Sequence, residues 1–324
     1  SDVYKRQVSG SYWKELERRQ HMSEIKAMTK RNLLIYFRNK SAVFFSILSA
    51  LILLAIMVVF LGESSSEGLL DALNQYGTGT AEENAKNASW LVQLWIMGGI
   101  LGINSVTVSL TAIGAMVEDE ERGRLRSFYV TPASRFYLSL GYILSAWVSG
   151  MVICLTTLAV GEGFFALKGH PVLGIVDLVS LVGVIALNTF VFSAIGYLAA
   201  LFIRTGSAWS GMLTVAGTLV GFLGGTYIPV ASMSEWLQNV VKLLPVIHGT
   251  ALMRRFCMQS ASKTVFAGMS DTVQTVFFEQ MGVTLKNGAQ TISILGQILL
   301  LIAWAVVVIA IAAAIAKRRK LKDR

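Results

Sequence analysis

The chain has 324 residues, 54% of them hydrophobic and 15% charged, with a formal net charge of +9 at pH 7. An average soluble domain is about 25% charged, and so apolar a chain would need a core larger than one soluble domain builds, which excludes an ordinary soluble protein. The surplus Lys and Arg are spread over several connecting segments rather than one face, which argues against a nucleic-acid partner and for loops facing anionic lipid.

Residues 1–21 are polar and lack the apolar stretch of a signal peptide. Glu17, Arg18 and Arg19, just before Met22, are what a purine-rich ribosome-binding sequence would encode if translated, so a non-native leader and a start at Met22 are expected. Over 22–40, Ile25, Met28, Leu33, Tyr36 and Phe37 supply an apolar side, and Lys26, Lys30, Arg31, Arg38 and Lys40 a cationic one. That pattern predicts an amphipathic interfacial helix, and it equally fits a juxtamembrane segment whose cations snorkel.

Six apolar runs follow, at 41–62, 90–117, 136–160, 173–203, 207–229 and 291–316. Each is about as long as the roughly 20 residues that cross 30 Å of hydrocarbon. The expected fold class is therefore all-α, a polytopic membrane protein with six transmembrane helices in a domain spanning 41–316. Of the 28 Lys and Arg, 21 fall in segments on the side of the termini and 7 on the other. The positive-inside rule then puts both termini, including the basic tail 317–324, in the cytoplasm.

Between the second and third runs lies EDEERGRLRSFYVTPASR, four acidic residues followed by arginines. That order complements a helix dipole, and Thr131-Pro132 would stop the helix, so a short surface helix is expected over 118–134. On the other side, 63–89 reads as a polar loop. The outer segment 232–290 opens with an apolar stripe from Trp236 through Leu244 that ends at Pro245. The stripe is too short to span, which suggests a re-entrant or interfacial helix. His248, beside it, could bind substrate or titrate, or serve in capping and packing.

Small residues recur at helical spacing. Gly98 and Gly102 form one pair, and Gly217, Gly221 and Gly225 a longer stripe. Such stripes let helices approach closely, either within one subunit or along a dimer cleft. The polar residues inside the runs, such as Asn104, Ser105, Thr107, Asn188 and Thr189, are uncharged, which suits an amphipathic or lipid-like cargo better than an ion. Cys154 and Cys257 make no framework, no metal-ligand spacing occurs, and no cofactor is expected. No G-x-x-x-x-G-K-[ST] occurs either, so energy would have to come from another polypeptide.

The run E-E-R-G-x-L-x-S-x-x-x-T-P, from Glu120 to Pro132, resembles the cytoplasmic coupling helix of type-2 ABC exporter permeases. LLPVIHGTALMRRF at 243–256 looks like the outer-side segment of the same family. The resemblance covers 22–324. It implies docking of Glu120, Glu121, Arg122, Gly123, Leu125 and Arg126 in a groove of a cytoplasmic P-loop ATPase subunit, with Leu125 as apolar anchor. It also implies a second copy of the chain or a paralogous permease as partner, membrane lipid around it, and a bacterial cytoplasmic membrane as location. Drug, peptide antibiotic, lipid or polysaccharide precursor are the cargoes it allows, and short connections without a large outer domain favour the drug or antibiotic type. The rivals from other classes are an ATPase-independent secondary carrier and a membrane-embedded hydrolase.

Overall fold

Apolar runs without water must satisfy their own backbone, which leaves helices as the way to build them. The computed structural model describes residues 21–77, 79–125, 135–288 and 290–322. The helix α1 spans His21–Arg38 and meets α2, Lys40–Tyr76, at a bend of 70°. Asn39 sits at the bend and its side chain accepts a hydrogen bond from Ala42 N at 3.1 Å, capping α2. The helix α3, Ala81–Glu121, starts with a capping box between Thr80 and Glu83. At 41 residues it is about 60 Å long, so its ends project beyond hydrocarbon.

The helices α4, Arg135–Leu167, and α5, Ile175–Ala200, follow, then α6, Gly206–Leu223. Past a one-turn 3-10 helix at Val230–Ser232 come α7, Glu235–Val241, α8, Pro245–Val265, and α9, Asp271–Gln280. A small antiparallel ribbon of β1, Lys286–Asn287, and β2, Gln290–Thr291, leads into α10, Ile294–Lys322. Among the described residues, five helices are long and apolar enough to cross a membrane, α3, α4, α5, α6 and α10, and six if the bent pair α1–α2 forms one span. The protein is a polytopic all-α membrane protein.

The centre of the bundle is α3, which packs against α2, α4, α5, α6 and α8. Its stretch from Trp90 to Ser105 is buried throughout. By contrast α6 buries only Trp209, Val220 and Gly221. Three features differ from the sequence expectation. Most of 63–89 is helical: α2 continues to Tyr76, α3 begins at Ala81, and only 77–80 connect them. Leu69 and Leu73, four apart, are buried there and hold the polar stretch to the bundle. The fifth run, expected to 229, ends its helix at Leu223, where Gly224 caps it and Gly225 takes φ +63°. The buried element of the 232–290 segment is α8, with Pro245 at its first turn, a position where the missing N–H has no partner to lose. The apolar stripe before Pro245 makes only the seven-residue α7, with Trp236 67% exposed.

Candidate functional site

Two ends of the bundle carry the residues singled out in the sequence. At the first, α1 meets the C-terminus of α3 and the N-terminal half of α4, and the start of α6 lies against the end of α3. The acidic run is not the start of a separate helix here. Glu118 through Glu121 form the last turn of α3, the end of the dipole that disfavours anions. What compensates is a set of cations and donors converging on one member of the run.

That member is Asp119, 1% exposed. Arg31 of α1 binds it in a two-pronged geometry, Nη1 to Oδ2 at 2.6 Å and Nη2 to Oδ1 at 2.8 Å. Arg124 Nη1 donates to Oδ1 at 3.2 Å and the Tyr142 hydroxyl of α4 to Oδ2 at 2.6 Å. Arg31 is oriented in turn by Asn32 Oδ1, 2.8 Å from Nη1. One carboxylate thus joins α1, α3, α4 and the turn after α3. A second tie runs from Glu121 Oε2, which accepts from Gly206 N at 3.1 Å and so holds the first residue of α6.

The turn itself is made by Gly123. Arg122 caps α3 through a bond from its N–H to Glu118 O at 3.0 Å, and Gly123 follows with φ +70°, a conformation that favours glycine. A Cβ there would meet nothing within 4 Å, so the conformation rather than close approach explains the residue. Leu125 is 3% exposed and packs in a cluster with Met28, Val117 and Leu138 of its own chain. The sequence reading made it an outward anchor. Here it holds the turn against the bundle, while Glu118, Glu121, Arg122 and Arg124 face outward and Glu120 is half-buried. Glu118 and Arg122 pair at 3.5 Å on that exposed side. Arg126, Thr131 and Pro132 lie outside the described residues.

At the opposite end, α8 is wedged among α3, α5 and α10. His248 is fully buried and its Nε2–H donates to Lys242 O at 2.7 Å, tying α8 back to the end of α7. Of the two roles open to it, this geometry is that of packing and capping. Arg254, which sequence reasoning did not single out, is 0% exposed. Its Nη2 donates to Gly225 O at 2.8 Å and to Thr226 Oγ1 at 3.1 Å, and its guanidinium lies 4.4 Å from the Trp95 ring centroid. No carboxylate pairs with it among the described residues. The available signal was a charged residue at the end of the otherwise uncharged run Val246–Met253.

The glycines divide. A Cβ on Gly98 would lie 2.6 Å from Arg254 Cα, and one on Gly102 would collide with the Thr250 side chain, so this pair seats α8 on α3. Gly221 backs onto the Tyr227 ring, Gly225 sits past the end of α6, and Gly217 has only Thr107 at 3.9 Å. The three therefore do not form one face of a single helix. The polar residues inside the bundle cross-link it: Asn104 donates to Thr157 Oγ1 at 3.1 Å and Asn188 to Ser105 Oγ at 2.5 Å.

Residues 23–258, from α1 to within α8, match the sequence model of the ABC-2 type transporter family. No curated protein matches the chain.

Proposed function

The chain belongs to the ABC-2 type transporter family, and we propose that it is the membrane subunit of an ATP-driven exporter, energised by a separate cytoplasmic P-loop ATPase. As a member of that family it is a transport subunit of an ABC transporter and not itself the catalyst. The finer reading has the cluster around Asp119 as the receiver of the ATPase's motion. The observation that carries it is the joining of α1, α3, α4 and the Gly123 turn through one buried carboxylate, with an exposed band of charge on the outer side of the same turn.

A partner that grips Glu118, Arg122 and Arg124 moves a rigid unit, because the turn beneath is held by Leu125 and Asp119. Displacing that unit displaces α3, which runs the length of the bundle, and α6 through Glu121. The end bearing α1 and this turn faces the cytoplasm in this reading, supported by the excess of Lys and Arg on that side. The open face of α6 supports pairing with a second copy or a paralogous permease in a bacterial cytoplasmic membrane. The uncharged polar residues on the exposed side of α6, Ser210, Thr214 and Thr218, favour an amphipathic cargo, of the drug or antibiotic kind.

The test is the charge reversal Arg122→Glu, made alongside Glu67→Lys on an exposed part of α2. An exposed pair such as Glu118–Arg122 adds at most about 1 kcal/mol to stability, so folding and membrane yield should match wild type. Arg122→Glu should lose the co-purifying ATPase and transport, and Glu67→Lys should keep both. If Arg122→Glu retains its ATPase as well as Glu67→Lys does, the turn is not the docking surface.

A further inference from the structure

Beside the Asp119 cluster, α1 borders a shallow, open apolar groove of about 510 Å³ that reaches Leu144 of α4. Leu33, Leu34 and Phe37 of α1 and Leu144 of α4 line it, together with Lys26 and Lys30. The two lysines are four residues apart and therefore neighbours on one face of the helix. Both are exposed, and neither makes an ion pair or side-chain hydrogen bond with a described residue. Arg31, next in sequence, turns inward to Asp119 instead. The same short helix thus sends one cation into the bundle and leaves two beside an apolar trough.

The occupant follows from the surroundings. The chain spans a membrane, and α1 bends 70° away from α2 at the end of the bundle, carrying the exposed apolar residues Leu34 and Phe37. A groove there meets lipid before anything else. Its walls suit an acyl chain, and two unpaired ammonium groups suit a phosphate that brings no cation of its own. We propose that the groove between α1 and α4 binds one anionic phospholipid, its phosphate held by Lys26 and Lys30 and an acyl chain laid along Leu33, Leu34, Phe37 and Leu144. The lipid then packs against the helix that holds Asp119 through Arg31, and membrane charge bears directly on the position of α1.

The experiment uses the full chain in nanodiscs with a small fluorophore on Leu34→Cys. Cys154 and Cys257 are buried and stay unlabelled. Quenching is titrated with brominated-acyl phosphatidylglycerol or brominated-acyl phosphatidylcholine in otherwise identical membranes. Each lysine near anionic lipid enriches it about fivefold, so half-quenching should need about 25-fold less phosphatidylglycerol than phosphatidylcholine. The double substitution Lys26→Gln/Lys30→Gln should bring the two curves together. A label on Val179→Cys, an exposed position of α5, should report no preference, and a label on Phe37→Cys should repeat the Leu34 result. Coincident curves at Leu34 and Phe37, a preference that survives the double substitution, or the same preference at Val179 would each overturn the site.

Discussion

Arg31 and Asp119 lie 88 positions apart and share two hydrogen bonds of 2.6 and 2.8 Å, which makes helix α1 and the end of α3 one mechanical unit. Asp119 is buried and Arg31 is partly so, with 28% of its side chain exposed. Removing one partner of such a pair strands the other and should cost about 3 kcal/mol. Asp119→Ala should therefore lower the melting temperature of the detergent-solubilised protein by several degrees, and Arg31→Met/Asp119→Leu should recover most of the loss. Arg124→Ala, whose side chain is 44% exposed, should shift it little. Equal effects of Asp119→Ala and Arg124→Ala would mean that the cluster adds no more than a surface pair.

Gly98 and Gly217 make opposite predictions from the same residue type. A methyl group on Gly98 runs into the α8 backbone, whereas one on Gly217 meets only Thr107 at ordinary contact distance. Overpacking a tight helix contact typically costs about 1–3 kcal/mol. Thermal unfolding of Gly98→Ala should show that loss, and Gly217→Ala should be neutral or slightly stabilising because alanine suits a helix better. A neutral Gly98→Ala would mean that α3 and α8 can separate freely.

How much of this was legible in the sequence depends on what each residue type announces. The uncharged run 90–117 marks the core of α3, since no charge means no need for water. The stretch 63–76 hid its helix because polarity outweighed the four-residue spacing of Leu69 and Leu73. Asp119 could not be told from Glu118, Glu120 and Glu121 by type. The inward face of α3, through Ala112, Ile113 and Met116, passes through position 119, and that periodicity was the signal. α8 was hidden for the opposite reason: its polar side chains are satisfied by tertiary partners, Gly225 and Thr226 for Arg254 and Lys242 for His248, which lie 6 to 29 positions away.

The surroundings of His170 predict a pH dependence of stability with a definite sign. Its ring stacks on Trp90 with centroids 5.0 Å apart, on the wall of a cavity of about 420 Å³. Burial, then the charges of Lys86 and Lys168, hold its pKa below the ordinary histidine value. The unfolded chain therefore takes up the proton more readily. The stability that neutral His170 contributes is present above the unfolded pKa, about 6.5, and is lost as pH falls through the lower folded value. Melting temperatures measured from about pH 7 down to about pH 5 should fall less steeply in His170→Gln than in wild type. Parallel profiles would remove His170 as the source.

Orientation can be read with thiol chemistry. Arg122 and Val172 are both exposed, at opposite ends of the bundle. Treated in intact cells with an impermeant thiol reagent, Val172→Cys should label and Arg122→Cys should not. Labelling of Arg122→Cys alone would invert the topology.

The guanidinium of Arg254, which pairs with no carboxylate among the described residues, also bears on how the protein is made. Inserted alone, α8 would bring Arg254, Arg255 and Lys263 into lipid at about 2.5–3.5 kcal/mol for each charge at depth, so it is poorly suited to cross the bilayer by itself. It needs a receptacle built beforehand, and the parts of that receptacle, Gly98 and Gly102 on α3 and the carbonyl of Gly225, all precede it in the chain. They leave the ribosome first. The last helix, α10, which packs on α5 and α8, leaves it after them. The chain order is thus compatible with α8 seating into a site whose parts precede it in the sequence.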